Sequence, residues 1–331
     1  MRPLAAAVSA AVTSLVVTML LTGEAESSAP PGGVGSDRLE VYLVEVGPSD
    51  VELLAAAGVD TTHLPDLTEG GRVEIVATSR QARALRHQGL SVQVKRIHGV
   101  KASTVAAQRL AAGQAVYRTY GGPGGIAEEL REVAAQHKGI TKLVTIGTSR
   151  QGQPILALKV SNNARSANDG KRPAVLYLGA QHAREWITPE MVRRLMHHVI
   201  DSYGADPAIT SLLKSTELWF VPVANPDGYD YTFSTERFWR KNLRDNNGDG
   251  QITVGDGVDP NRNYPTKWGW DNEGSSPDPA DETYRGPSPA SEPETRAIMG
   301  LLDRVKFEFL VNYHSAAELL LYGVGWQVST P

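Results

Sequence analysis

Apolar and polar positions alternate in short blocks along most of the chain. Residues 39–46 (LEVYLVEV) and 72–77 (RVEIVA) carry a strand pattern. Residues 50–57 read as a helix, and a second helix starts at Ser79 with Ala82, Leu85 and Leu90 on one side. Residues 91–94 return to a strand. Strands alternating with short helices predict a small α/β or α+β unit ending near Gly99. Residues 100–115 show no strand pattern and predict a helical or flexible connector.

A second unit begins near Val116. Ile126, Leu130, Val133 and Ala134 recur at helical spacing and predict an amphipathic helix over 126–136. Residues 142–146 and 155–160 read as strands joined by the turn Ser149-Arg150-Gln151-Gly152. Residues 174–178 (AVLYL) form a buried strand pattern. Thr188 as N-cap and Pro189 as first helical residue predict a helix to about Tyr203. An apolar strand follows at 217–223, then a polar region rich in Gly and Asn over roughly 241–290. Residues 291–304 predict a helix and 307–313 (FEFLVNY) a strand. No internal repeat is present, and the alternation places the chain in the α/β class.

The start of the chain breaks this pattern. Arg2 precedes an uncharged apolar run over residues 4–21, and small residues follow at Gly23, Ala25, Ser27 and Ala29. That order predicts a secretory signal over residues 1–29, the other reading being an uncleaved membrane anchor. Pro30-Pro31-Gly32-Gly33 reads as a linker. No other stretch is long and apolar enough to cross a membrane, so a secreted protein with no stable membrane association after signal removal is expected.

Composition narrows the chemistry. A length of 331 residues allows about two domains. The net charge of −4, with no basic stripe, leaves no footprint for nucleic acid. The absence of cysteine excludes disulfides and thiolate metal sites, so any metal must sit on His, Asp or Glu.

His182 and Glu185 stand three residues apart between the buried strand 174–178 and the next helix. Ligand sites in open α/β sheets lie outside the carboxyl ends of strands. A His-x-x-Glu turn can converge on one ion, although alone it is a weak signal that reads more readily as a surface His beside a helix-starting acid. His314 follows the strand 307–313 and so also lies at a strand's carboxyl end. Two His and one Glu, leaving a fourth position for water, make a catalytic Zn2+ set. His197 and His198 fall mid-helix, and His63, His87, His98 and His137 lie away from strand ends. These six read as structural or surface groups.

From about Val116 onward the chain resembles the zinc carboxypeptidases of the A/B type. The segments GAQHAREWIT, VANPDGYDYT, FWRKN, VDPNRNY, ETYRGPSPASEPET and NYHSAAELLLYG carry the resemblance, in family order and spacing. It implies an α/β fold with a mixed, mostly parallel twisted sheet flanked by helices. The small unit before it, with its connector (residues 30–115), is similar to the pro-region of such enzymes, ahead of a catalytic domain over 116–331. The implied activity is zinc-dependent hydrolysis of the C-terminal peptide bond, with peptide or protein C-termini as partners, by a monomer made as a zymogen; the alternatives are a catalytically impaired zinc- or peptide-binding module and a cell-wall peptide hydrolase on the same fold.

The resemblance also assigns roles. His182, Glu185 and His314 would bind zinc, and Asp259 would orient the first His. Arg240 would polarise the scissile carbonyl and stabilise the oxyanion. Asn261 and Arg262 would hold the terminal carboxylate, which an Arg fork grips bidentately. Arg184 would contact substrate further up the cleft, and Leu321 and Gly325 would line the pocket for the terminal side chain. Relatives carry a general-base Glu and a closing Tyr downstream of the third zinc ligand. Glu318 is too close to His314 to match that base, so the chain reads as truncated at Pro331, with its own turnover in doubt.

One motif stands apart. Asp245, Asn247 and Asp249 occupy positions 1, 3 and 5 of an EF-hand-like run, with Gly250 at 6, Gln251 at 7, Ile252 at 8 and Asp256 at 12. It predicts a Ca2+ loop between Arg240 and Asn261, the other reading being a polar surface turn.

Overall fold

The computed structural model describes residues 38–61, 64, 67, 69–111, 116–315 and 320–321. The N-terminal signal run, Glu318 and Gly325 lie outside the described residues.

Strand β1 (Leu39–Val46) is followed by helix α1 (Val51–Ala56), strand β2 (Gly71–Thr78), helix α2 (Ser79–His87) and strand β3 (Ser91–Val94). The three strands form an antiparallel sheet in the order β2-β1-β3. Tyr42, Val44 and Val46 of β1 point to one face, where they pack with Leu54 of α1 and Leu85 of α2. Alternate residues of a strand share a face, which is why this sequence reads so cleanly. A capping box starts α2: Gln81 N donates to Thr78 Oγ1, and Thr78 N donates to Gln81 Oε1. The Gln81 amide also donates to the carbonyls of Ala57 and Gly58, which fixes the loop after α1.

The connector differs from expectation. Strands β4 (Arg96–Ile97) and β5 (Val100–Lys101) pair before helix α3 (Ala102–Ala111). Two-residue strands are too short to carry a periodicity.

The larger part runs α4 (Ile126–Gln136), β6 (Thr141–Thr148), β7 (Pro154–Val160), β8 (Ala174–Leu178), α5 (Ile187–Ser202), α6 (Pro207–Ser215), β9 (Glu217–Val221), α7 (Pro226–Ser234), α8 (Pro293–Val305) and β10 (Phe309–Asn312). The mixed sheet has the order β10-β8-β9-β7-β6. Pairing is parallel between β10, β8 and β9, and antiparallel between β9, β7 and β6. Leu156, Leu158, Leu218 and Phe220 face α4 and α5, while Ile155, Ala157, Trp219 and Val221 face α8. Helices on both faces bury both sides of these strands, so they read as continuous apolar runs.

Helix α5 starts at Ile187, one residue before the expected N-cap. Thr188 caps nothing. Its hydroxyl donates to Glu185 O at 2.9 Å and accepts from Ala180 N at 2.9 Å. It therefore ties the end of β8 to the turn that carries Glu185. A Thr188→Val variant keeps the shape but leaves two buried backbone groups without this partner. It is expected to lose about 1–3 kcal/mol of unfolding free energy, read by urea denaturation. A midpoint equal to wild type would show that the hydroxyl is dispensable.

Candidate active site

Parallel pairing of β10 with β8 brings the site together. Asn312 registers with Leu178, and Tyr313 N donates to Leu178 O at 2.8 Å. The two chains therefore leave the sheet side by side, one toward His182 and the other toward His314. Gly179 allows the first exit, since a side chain there would press on Pro222 O at 2.7 Å.

His182 Nδ1 lies 2.9 Å from Glu185 Oε1 and 3.0 Å from His314 Nδ1, and His314 Nδ1 lies 3.1 Å from Glu185 Oε2. Among the described residues this is the one cluster of three His, Cys, Asp or Glu side chains able to hold a metal. Ligand bonds of about 2.0–2.1 Å in a tetrahedron give edges of roughly 3.3 Å, close to these separations. Two imidazole nitrogens and a carboxylate brought this near need a positive charge between them. The donor set fits Zn2+.

Electrostatics agree. Burial drives Glu185 up, but His182 and His314 outweigh it and hold its carboxyl well below the usual range. Burial and Arg240 push His182 down, yet Glu185 and Asp259 leave it raised. His314 is lowered, first by burial. Asp259 is fully buried, with Oδ1 3.3 Å from His182 Nε2. Against that burial, Arg240, His182 and Arg262 hold it ionised far below its ordinary value.

Arg240 is buried beside this pair. Its Nε and NH2 donate to Asp259 Oδ2 at 3.0 and 2.8 Å. Its NH1 donates to Asp60 Oδ2 at 2.5 Å. Asp60, in the loop after α1, is a site residue that the sequence reading missed. Nothing in a lone loop acid 180 positions away signals such a pairing.

Asn261 Nδ2 sits 3.5 Å from His314 Nε2, and Asn261 N donates to Asp259 Oδ1. Arg262 is half-buried, with Nε donating to Gly274 O at 2.5 Å. Arg184 is bound by Glu282, through contacts of 2.5 and 3.1 Å, and by Phe238 O. Glu282 was not anticipated either. Leu321 is 70% exposed and takes no part in this cluster.

The loop expected to hold calcium uses its oxygens internally. Asp245 accepts from Gly248 N and Gly250 N, and Asp249 accepts from Gln251 N. Asn247 Oδ1 accepts from Asp249 N. Asp256 is buried, and its oxygens accept from Asn246 N, Thr253 N and Thr253 Oγ1. Calcium gains no support from this geometry.

Two imidazoles and one carboxylate gathered at the ends of two parallel strands, with a buried Arg alongside, make a candidate metal centre whose donors fit zinc. Residues 126–331 match the profile of the zinc carboxypeptidases, and the chain belongs to that family. It is 34% identical over 207 residues to carboxypeptidase A2 of Rattus norvegicus, covering 62% of this chain and 47% of the relative. It is 37% identical over 204 residues to a metallocarboxypeptidase A-like protein of Trichophyton verrucosum, covering 60% and 45%. The chain spans about half the length of the curated relatives it matches. Among solved structures, carboxypeptidase A from Helicoverpa armigera superposes with a TM-score of 0.71 at 25% identity, covering 88% of this chain and 73% of that one. Thrombin activatable fibrinolysis inhibitor shares the fold, with a TM-score of 0.64 at 23% identity, covering 84% and 72%.

Proposed function

We propose that this chain is the zinc- and substrate-binding part of a secreted metallocarboxypeptidase that hydrolyses the C-terminal peptide bond of peptides or proteins. The observation that carries it is the convergence of His182, Glu185 and His314, with Asn261 and Arg262 within one short helical turn of Asp259. When bound, zinc supplies Lewis-acid polarisation and water activation. The rest falls to the chain's own groups. Arg240 presents a fixed cation to the negative charge that develops on the scissile carbonyl oxygen. Arg262 and Asn261 grip the terminal carboxylate, and Arg184 orients the chain upstream.

The N-terminal order of Arg2, apolar run and small residues supports a signal over residues 1–29. Among the described residues no helix is long and apolar enough to cross a membrane. Residues 30–115 act as pro-region and connector, and 116–331 belong to the catalytic domain. The zymogen reading is supported by Asp60, which occupies an edge of Arg240. We take the protein to be a monomer.

The test uses zinc-loaded protein after limited proteolysis of the connector. A peptide with a free C-terminus is expected to bind at least about tenfold more tightly than its C-terminal amide, a charge-assisted bidentate contact being lost in the amide. Arg262→Ala should abolish the difference. Equal affinity of the two peptides for the unsubstituted protein would overturn the exopeptidase reading.

A further inference from the structure

Lys241 follows Arg240 but turns away from the zinc ligands into the protein. It is 4% exposed. Its Nζ donates to the carbonyls of Pro279 at 2.6 Å, Val254 at 3.2 Å and Asp281 at 3.2 Å. An ammonium has three N–H bonds, and here each meets a backbone oxygen. Among the described residues no carboxylate pairs with it directly. Burial pushes it down to about 8, which leaves the ammonium as the main form at neutral pH. Convergent backbone carbonyls are how proteins replace the hydration shell of a monovalent cation.

The three oxygens come from two irregular loops. Val254 lies in the loop leading to Asp259, and Pro279 and Asp281 lie in the loop leading to Glu282. These loops carry the carboxylate beside His182 and the carboxylate that holds Arg184. With no cysteine in the chain, no disulfide can join them. The backbone is fitted to the lysine. Gly257, at φ +78°, packs so closely that a side chain would meet Asn242 O at 2.5 Å and Lys241 Cβ at 2.7 Å.

We infer that the carbonyls of Val254, Pro279 and Asp281 form a monovalent-cation site that Lys241 fills with its own tethered ammonium, clamping the two loops behind Asp259 and Glu282. When the side chain is shortened, free ammonium or potassium takes the vacated position. This inference stands on the loop geometry and does not depend on the peptidase reading.

The test compares the 331-residue wild type with Lys241→Ala in ammonium, potassium and choline chlorides at equal ionic strength. The variant is expected to melt roughly 5–10 °C lower in choline. Ammonium or potassium should restore at least half of that loss and leave wild type unmoved. The same melting temperature for the variant in all three salts would overturn the inference. A second measurement needs no variant. On brief acetylation of wild type, mass spectrometry should show Lys241 modified about tenfold or more slowly than exposed Lys267, because reaction requires the loops to open. Equal rates for the two lysines would also overturn it.

Discussion

An Asp259→Asn variant is expected to bind zinc about 10–100-fold more weakly than wild type. It should also lose about 3–5 kcal/mol of stability at neutral pH. Both effects follow from one fully buried carboxylate that serves two partners, the His182 ring and the Arg240 guanidinium. Oδ1 stands 3.3 Å from His182 Nε2, opposite the ring nitrogen aimed at Glu185 and His314. Oδ2 accepts two bonds from Arg240. An amide has the same shape but only one acceptor oxygen. Its NH2 must face either an imidazole N–H or a guanidinium N–H, so one contact becomes donor against donor.

The pH dependence has a definite sign. Because Asp259 is held well below its ordinary value, its contribution is complete above the unfolded pKa of about 3.9 and fades as pH falls below it. Wild type should therefore lose more stability than the variant on going from neutral to strongly acid solution. Zinc competition with a chelator and urea titrations at both pH values read these effects. Unchanged zinc affinity in the variant would show that Asp259 does not orient His182.

Much of this site was legible in the sequence because apolar strands carry it, although only β8 is buried: Phe309, Leu310 and Val311 of β10 are exposed, against the buried strand expected over 307–313. The runs at 174–178 and 307–313 announced strands β8 and β10, and the residues just beyond them were the natural place for ligands. What the sequence withheld was adjacency. Nothing in the two runs says that β8 and β10 are neighbours in parallel register, yet that pairing makes His182 and His314 meet. Thr188 shows a local signal misread. A Thr before a Pro looks like an N-cap, but its hydroxyl is taken by Ala180 N and Glu185 O. Helices α6 and α7 carry a local signal of their own, since Asp206-Pro207 and Asn225-Pro226 each combine an N-cap with Pro at the first helical position. The run from Asp245 to Asp256 carries the converse lesson. Oxygen-bearing residues at alternate positions satisfy backbone amides as readily as they ligate an ion.

Asp60→Asn is expected to loosen the hold of the N-terminal unit on the active site by about 3 kcal/mol, a factor of roughly 100. Arg240 is buried between Asp60 and Asp259. Its guanidinium stays protonated because the two carboxylates, Asp259 first, outweigh the burial that would push it down. Removing one carboxylate leaves Asp259 as the guanidinium's direct carboxylate partner. Longer and apolar contacts also lie around that loop. Glu282 N reaches Gly58 O at 3.5 Å, Leu39 N reaches Glu236 at 3.3 Å, and Leu39 packs with Ala183, Trp239 and Leu243. These apolar contacts keep the unit docked, while the Asp60 pair fixes which edge of Arg240 is covered. In the 331-residue variant, limited proteolysis between β3 and α4 should therefore separate the unit faster, and a chelator should strip zinc faster than from wild type. Asp50→Asn, which removes a carboxylate that only closes the turn at Gly47, should change neither rate. If Asp60→Asn matches wild type in both measurements, the pairing is incidental and the apolar contacts alone hold the unit over the site.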